Sequence, residues 1–436
     1  MLENVSDFVT EISPSLLSWR RHLHKNPELG WLEYETTYFI GSILEELGFS
    51  LAVGKDALVS EERMGVPSDV TLKIKEATSR EKGVPEEWLQ LMKDGHTGLV
   101  ATLDTNKAGK HVALRFDIDA LPIEENKEQQ EEHFPSTHSF SSCNRGVMHA
   151  CAHDGHTAIG LGVATYLSRH QDKLTGKYTL MFQPAEEGSR GAKSMVAKGW
   201  LDEVDLFLSG HIGISSMRVG EVVASAHGFL ATSKIDVNFI GSAAHAGVEP
   251  QVGKNALLAA ASSSLHLHAI PRHSDGVTRV NVGTLHAGSG RNVIADHAVM
   301  TLETRGETSL LNQYMEDEAV RILESTANLY GVSADIQLVG KGVEAACENG
   351  WREIVEDATK NSTRVKKVIE TVPLKASEDV AYMLNHVRRN GAKATYFVFG
   401  TPLPKGHHHP KFDFDEDVLE VALDVYLSTI LYLHNN

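Results

Sequence analysis

Apolar and polar positions follow two rhythms along this chain, and the change between them divides it. Ser15 to His24 and Glu33 to Leu47 carry apolar residues at helical spacing, and Asn26-Pro27 between them is a turn signal that stops the first helix. Residues 54–95 form a polar, helix-prone insertion in which Gly83-Val84-Pro85-Glu86-Glu87 reads as a helix start and Gly95 as its stop. From Lys110 to Gly220, short strand-like runs trade with helix-like segments such as Thr157 to Leu167, the pattern of a mostly parallel sheet covered by helices. Near Lys234 the rhythm changes. A strand over 234–240, a helix over 255–267, strands over 278–285 and 297–305, a helix over 310–330 and a strand over 334–339 spell β-α-β-β-α-β, a unit able to fold as an insertion. After Lys341 the helix–strand alternation resumes and ends in an amphipathic helix from Asp417 to His434. The expectation is an α/β fold whose main domain comprises residues 1–230 and 341–436, with an inserted α+β domain over 231–340.

Four apolar runs end at residues suited to a divalent metal. Val112 to Phe116 runs into Asp117 and Asp119, Tyr178 to Phe182 into Glu186-Glu187, Leu206 to Leu208 into His211, and Tyr396 to Phe399 toward His407-His408-His409. Between the first two lies Met148 to His156, in which His149, Cys151, His153, Asp154 and His156 crowd together. In an open α/β sheet the working crevice lies beyond the carboxyl ends of the strands, so groups this far apart in sequence can meet there.

Each group also has a plainer reading. Cys151 and His153, two apart, are as a pair more often structural than ligating, but their crowded neighbours favour a metal. An acidic pair in a turn is ordinarily solvated. Metal hydrolysis instead needs one carboxylate as ligand and another to take a proton from water, and Glu186-Glu187 can divide those tasks. Asp117 and Asp119 either bridge or orient ligands or simply end a strand; His211 alone would be a satisfied edge histidine; of His407 to His409 one is expected to ligate. Gly288-Ser289-Gly290 reads as a turn, since neither a Walker A nor a G-x-G-x-x-G pattern is present, and the lack of G-x-S-x-G weakens a serine-hydrolase reading.

Composition narrows the field. A chain of 436 residues exceeds what one core usually supports, which agrees with two domains. No stretch approaches the ~18 to 20 uninterrupted apolar residues of a membrane span. Acidic Glu3, Asp7 and Glu11 stand where a secretory signal would need basic and then apolar residues, and three scattered cysteines point to a reducing compartment, the cytoplasm by default. A net charge of −17 disfavours nucleic acid and leaves carboxylates to attract metal cations.

These residues together resemble a known family, the co-catalytic metal amidohydrolases and carboxypeptidases that include aminoacylases, hippurate hydrolase and plant auxin-conjugate hydrolases. The resemblance spans nearly the whole chain and is carried by Arg20 to Leu29, Asp117-Ile118-Asp119-Ala120-Leu121-Pro122, Met148 to Thr157, Phe182 to Gly188 and Ser377-Glu378-Asp379. Within the family the chain is most similar to the subgroup of aminobenzoyl-glutamate hydrolase A-type subunits. The 54–95 insertion, Phe140 to Asn144, Ser289 to Val293 and Lys411 to Glu416 carry that likeness.

The resemblance implies a catalytic domain with an inserted lid and dimerisation domain. It implies two divalent ions per subunit, zinc or manganese, held by Cys151, His153, Glu187, His211 and His408, with Glu186 as general base. His408 is preferred because the family's last ligand stands four residues before the aromatic matched by Phe412. His245 would reach the substrate carbonyl from the other subunit of a homodimer, and Asn292 and Arg305 would hold the substrate's carboxylate, a surface ion pair being the alternative for Arg305. The expected reaction is cleavage of a small N-acyl amino acid, p-aminobenzoyl-glutamate to p-aminobenzoate and glutamate, and the further partner expected is a sister subunit. A broader N-acyl amino acid amidohydrolase and a non-catalytic regulatory subunit that keeps the fold are the alternatives. Ala152 and Ala376 stand where relatives commonly have glycine, which matters if either backbone needs positive φ.

Overall fold

The computed structural model describes residues 3–126 and 133–435. Among these residues twelve strands form two sheets. In chain order they are β1 (Ser50–Val53), β2 (Leu99–Asp104), β3 (His111–Asp117), β4 (Lys177–Gln183), β5 (Leu206–Ile212), β6 (Glu221–His227), β7 (Ala231–Ile240), β8 (Thr278–Ala287), β9 (His297–Gly306), β10 (Ser333–Gly342), β11 (Lys367–Pro373) and β12 (Lys393–Phe399). The larger sheet has the order β1-β2-β4-β3-β5-β12-β6-β11 and the smaller the order β10-β7-β9-β8. In the larger one β3 runs parallel to β4 and β5, β5 to β12, and β6 to β11. The smaller sheet is antiparallel throughout, as β-α-β-β-α-β connectivity produces.

Buried apolar runs make the central strands. Val112, Ala113, Leu114 and Phe116 of β3 are buried, as are Tyr178, Leu180, Met181 and Phe182 of β4, so both faces of this sheet are covered and the strands read as continuous apolar text. Arg115, Thr179 and Ser209 interrupt the apolar runs, and polarity returns at the carboxyl ends, where Asp117, Gln183 and His211 lie. Parallel pairing sets Asp117 beside Gln183, and His211 beside Val398 of β12, so these ends share one rim. Among the described residues no helix is long and apolar enough to cross a membrane.

Three helices differ from the sequence reading. The first spans Val5–Lys25 and passes through Pro14, because Phe8, Val9, Ile12 and Leu16 continue one buried face across it. Asn4 caps it by accepting from the Ser6 amide at 2.8 Å. Residues 54–95 contain a helix, Asp69–Glu81, that the apolar pattern does not announce: only Leu72 and Ser79 are buried, while Val70 and Ile74 face solvent. Charge fastens it. Lys75 Nζ lies 2.6 Å from Glu28 Oε1 and 2.7 Å from Glu35 Oε1. The helix expected to stop at Gly95 spans Glu86–Leu91; Gly95 follows in a separate turn, its amide donating to the Tyr34 hydroxyl.

A buried charge cluster ties the first helix to the helix His153–Arg169 and to the chain before the last helix. Arg20 Nε donates to Asp154 Oδ2 at 3.0 Å and Arg20 Nη1 to Glu416 Oε1 at 3.1 Å. His24 donates through Nδ1 to Asp154 at 2.8 Å and through Nε2 to Glu125 at 3.2 Å. Burial alone would lower the pKa of His24, but the bonds to Asp154 and Glu125 outweigh it and push it up to about 9. A histidine raised in the folded state stabilises fully below its unfolded value of about 6.5, and that contribution is lost as pH rises through about 9. His24→Gln is therefore expected to flatten the decline in thermal midpoint between pH 7 and 10. Melting curves of both proteins across that range check it, and parallel declines would remove His24 as the cause.

Candidate metal centre

Cys151 and His153 flank Ala152, which caps the helix His153–Arg169 in a left-handed conformation, φ 67° and ψ 13°. The departure from glycine thus costs strain at Ala152, on the order of 1–2 kcal/mol. At the other position it is Lys375, φ 56°, and not Ala376 that is left-handed.

Donor atoms converge around Cys151. The ligand atoms of Cys151, His153 and Glu187 lie within 4.8 Å of one another, and so do those of Cys151, His211 and His407. Cys151 Sγ is 3.5 Å from His211 Nε2, and His408 Nε2 is 3.4 Å from Glu187 Oε1. The thiol belongs to both groups, as a ligand shared between two ions would.

The hydrogen bonds decide which nitrogens are free. His153 Nδ1 donates to the Asp119 carbonyl at 2.8 Å and His211 Nδ1 to the Ile212 carbonyl at 2.9 Å, which puts each proton on Nδ1 and aims an Nε2 lone pair at the cluster. His153 Nε2 and Glu187 Oε1 are buried without a hydrogen bond. A buried lone pair left unmatched is costly, and a cation supplies the missing partner. Thiolate, imidazole and carboxylate also form a donor set suited to zinc or manganese, so the residues fit such ions. His156, by contrast, is fully engaged: Nδ1 donates to Asp117 Oδ1 at 2.5 Å and Nε2 accepts from the Ile212 amide at 2.9 Å. It orients β3 and β5 and has no atom left for a metal.

Without a cation, protons are held tightly here. Burial would lower the pKa of His153, yet Asp117 and the bond to Asp119 drive it well above its usual value, and Cys151 and Glu187 push His408 up to about 10. Glu186 is pushed far above the usual carboxylate range by burial and then by Glu378, Glu187 and Asp379.

Carboxylates hold the turn that carries Glu186 and Glu187. Asp119 accepts from their two amides at 3.1 and 2.9 Å, and Glu33 accepts from the Ala185 amide at 2.9 Å. Asp379 Oδ2 accepts from the Gly191 and Ala192 amides at 3.1 and 2.9 Å. Beneath the turn lies Arg115, which donates to Asp117 at 2.7 Å, to Glu378 and Asp379 at 3.0 Å each, and to Gln183 at 2.8 Å. The Tyr396 hydroxyl donates to the other oxygen of Glu378 at 2.9 Å.

A cavity of about 360 Å³ opens over these groups, lined by Cys151, Glu186, Glu187, His211, His407 and His408, and on the side of the smaller sheet by Lys234 and Arg305. The sequence-predicted residues thus fall into two sets. Cys151, His153, Glu186, Glu187, His211 and His408 come together, with Arg305 on the cavity wall. His245 and Asn292 lie elsewhere, exposed and side by side, where the Ala246 amide donates to the Asn292 carbonyl and His245 pairs with Val293. Sequence reasoning gave no role to Arg115, Glu33 or Lys234 and left His407 undistinguished among three histidines. His407 Nε2 donates to the Gly213 carbonyl, its Nδ1 has no partner, and its ring packs on Phe412. A charge inside a buried run was the available signal for Arg115; Glu33 offered none.

The model of "Peptidase family M20/M25/M40" matches residues 113–432. The chain belongs to that family. As an M20 peptidase it is a hydrolase, and the relatives named next match it over nearly its whole length. It is 43% identical to the indole-3-acetyl-aspartic acid hydrolase of Enterobacter agglomerans, covering 98% of each chain. It is equally identical, 43%, to the A-type subunit of the p-aminobenzoyl-glutamate hydrolase of Escherichia coli K12, covering 99% of this chain and 98% of that one. Among solved structures, an aminobenzoyl-glutamate utilization protein from Klebsiella pneumoniae superposes with a TM-score of 0.83 at 37% identity over 98% of both chains. The M20 fold, a mostly parallel sheet with a second antiparallel one, is the architecture described above.

Proposed function

We propose that this M20 hydrolase cleaves the amide between an aromatic acyl group and a dicarboxylic amino acid, with p-aminobenzoyl-glutamate as the first substrate. The observation that carries the chemistry is the convergence of donor atoms on Cys151, with His153 and Glu187 in one group and His211 and His407 in another, beside a carboxylate, Glu186. The substrate class rests on the two relatives of equal identity. Their acyl groups differ, but each named substrate ends in an amino acid with a second carboxylate.

Cys151, His153, Glu187, His211 and His408 would hold two divalent ions, zinc or manganese, with His407 next to that set. When bound, such ions supply acidity to the attacking water and Lewis acidity to the amide carbonyl. Positive charge at the ligands also favours the ionised form of Glu186, which its uncompensated surroundings oppose. Glu186 then takes the proton of the attacking water and returns it to the departing nitrogen. Arg305 faces the substrate's carboxylate from the cavity wall. His245 donates to the oxygen that becomes anionic, with Asn292 beside it. Both are exposed and outside the cavity of their own chain, which supports their delivery by a second copy in a homodimer, with residues 231–340 as the lid. The Escherichia coli relative is named as one subunit of its hydrolase, and that supports a further partner here, a sister subunit.

The test is release of glutamate from p-aminobenzoyl-glutamate, aspartate from indole-3-acetyl-aspartate and glycine from hippurate, using protein stripped by a chelator and reloaded with zinc or manganese. Cleavage that returns with metal and favours the two dicarboxylic amides is expected. Hippurate cleaved fastest would replace this reading with a broad aminoacylase, and no cleavage by metal-loaded protein, alone or with its sister subunit, would leave a regulatory role.

A further inference from the structure

The smaller sheet presents charge to the cavity through a residue that the reaction above does not use. On β7, Ile235, Val237 and Phe239 are buried with the inserted core, as are Ala298, Met300 and Leu302 on β9. Period-two alternation therefore turns Lys234, Glu303 and Arg305 to the opposite, open face. Register sets Lys234 directly across from Glu303. Glu303 accepts from Arg305 Nε at 2.9 Å and Nη2 at 3.2 Å, and from Lys234 Nζ as well. One carboxylate thus serves two cations, which leaves the group one positive charge in excess. Lys234 and Arg305 both reach the cavity wall, and among its described lining residues they are the only Lys or Arg.

We propose that Lys234 is a specificity-determining residue that binds the side-chain carboxylate of the departing amino acid while Arg305 binds its α-carboxylate. The inference rests on the dicarboxylic substrate class proposed above and adds the group that recognises it. A glutamate or aspartate moiety brings two negative charges, and the wall offers two cations. The Arg305 fork is fixed by two bonds to Glu303, whereas the ammonium of Lys234 rides on a flexible four-carbon stem. Such a stem follows a carboxylate across the one methylene that separates aspartate from glutamate. If Lys234 only fastened β7 to β9, its loss would weaken the sheet and affect every substrate alike.

The experiment compares kcat/KM for p-aminobenzoyl-glutamate and p-aminobenzoyl-glutamine, which differ only in the charge of the side chain, using metal-loaded wild-type protein, K234M and K234R. The wild type is expected to prefer the glutamate amide by about 10- to 100-fold, the worth of one charge-assisted hydrogen bond, chiefly through KM. In K234M the ratio falls toward one, and K234R recovers part of it. An undiminished ratio in K234M overturns the proposal, and so does a wild type without preference, whether or not the variant folds. Cleavage of neither amide by the wild type overturns the proposed reaction itself, and this assignment with it.

Discussion

Glu186→Gln is expected to keep its full complement of metal and lose about 10²- to 10⁴-fold in kcat, the usual contribution of a positioned general base. Glutamine matches glutamate in shape, and the backbone of residue 186 is held independently of its side chain, by the bond from its amide to Asp119. The turn therefore keeps its form. On the proposed reaction, what disappears is the carboxylate lone pair that accepts the proton of the attacking water. KM should move little, because the side chain that is replaced makes no ion pair with the substrate's carboxylates. The contrast is Glu187→Gln, whose Oε1, 3.4 Å from His408 Nε2 but without a hydrogen bond, belongs to the donor set and whose loss should appear first in metal content. Metal analysis of each purified variant beside its steady-state kinetics distinguishes the two roles. A Glu186→Gln enzyme within threefold of wild-type kcat would remove Glu186 from the base role.

The parts of this centre that the sequence reveals are those where a strand's apolar text stops. Asp117, Glu186-Glu187 and His211 follow buried runs, so the change of polarity marks both the strand end and the crevice. The inserted β-α-β-β-α-β unit is equally legible, since its strands alternate and its second helix, Ser309–Tyr330, carries an apolar stripe. The helix Asp69–Glu81 is not, because ion pairs from Lys75 to Glu28 and Glu35 fasten a helix that buries little. Glu33 is hidden for a different reason: it holds the amide of Ala185, 152 residues away, and no local pattern records such a bond. The cavity wall shows the same limit. Lys234 reads as the polar half of an alternating strand, and only the fold reveals that this half faces Cys151 and Glu186. His245 and Asn292 show the converse, for the chain carries them plainly but a single copy does not bring them to the cavity.

Arg115→Met is expected to destabilise the main sheet by about 3–5 kcal/mol, the range seen when one partner of a buried ion pair is removed. Within Val112 to Asp117 this residue reads as a polar interruption, yet its guanidinium joins Asp117 on its own strand to Glu378 and Asp379, 263 and 264 residues away. Burial would lower the pKa of Arg115, but Asp117, Glu378 and Asp379 hold it well above its ordinary value, so the charge is permanent. Methionine fills similar volume and leaves those carboxylates buried without it. Asp379, already pushed up to about 7 by burial against the opposing pull of Arg115, would take up a proton and loosen its grip on the Gly191 and Ala192 amides. Lysine should not rescue the protein, because a single ammonium cannot serve acceptors spread around a planar fork. Denaturant titrations of wild type, Arg115→Met and Arg115→Lys, with metal present and chelated, read the loss. The deficit should persist in the chelated proteins, since the guanidinium holds protein carboxylates directly. An Arg115→Met protein within 1 kcal/mol of wild type would mean that the three carboxylates find protons or one another, and that the turn bearing Glu186 does not depend on the charge beneath it.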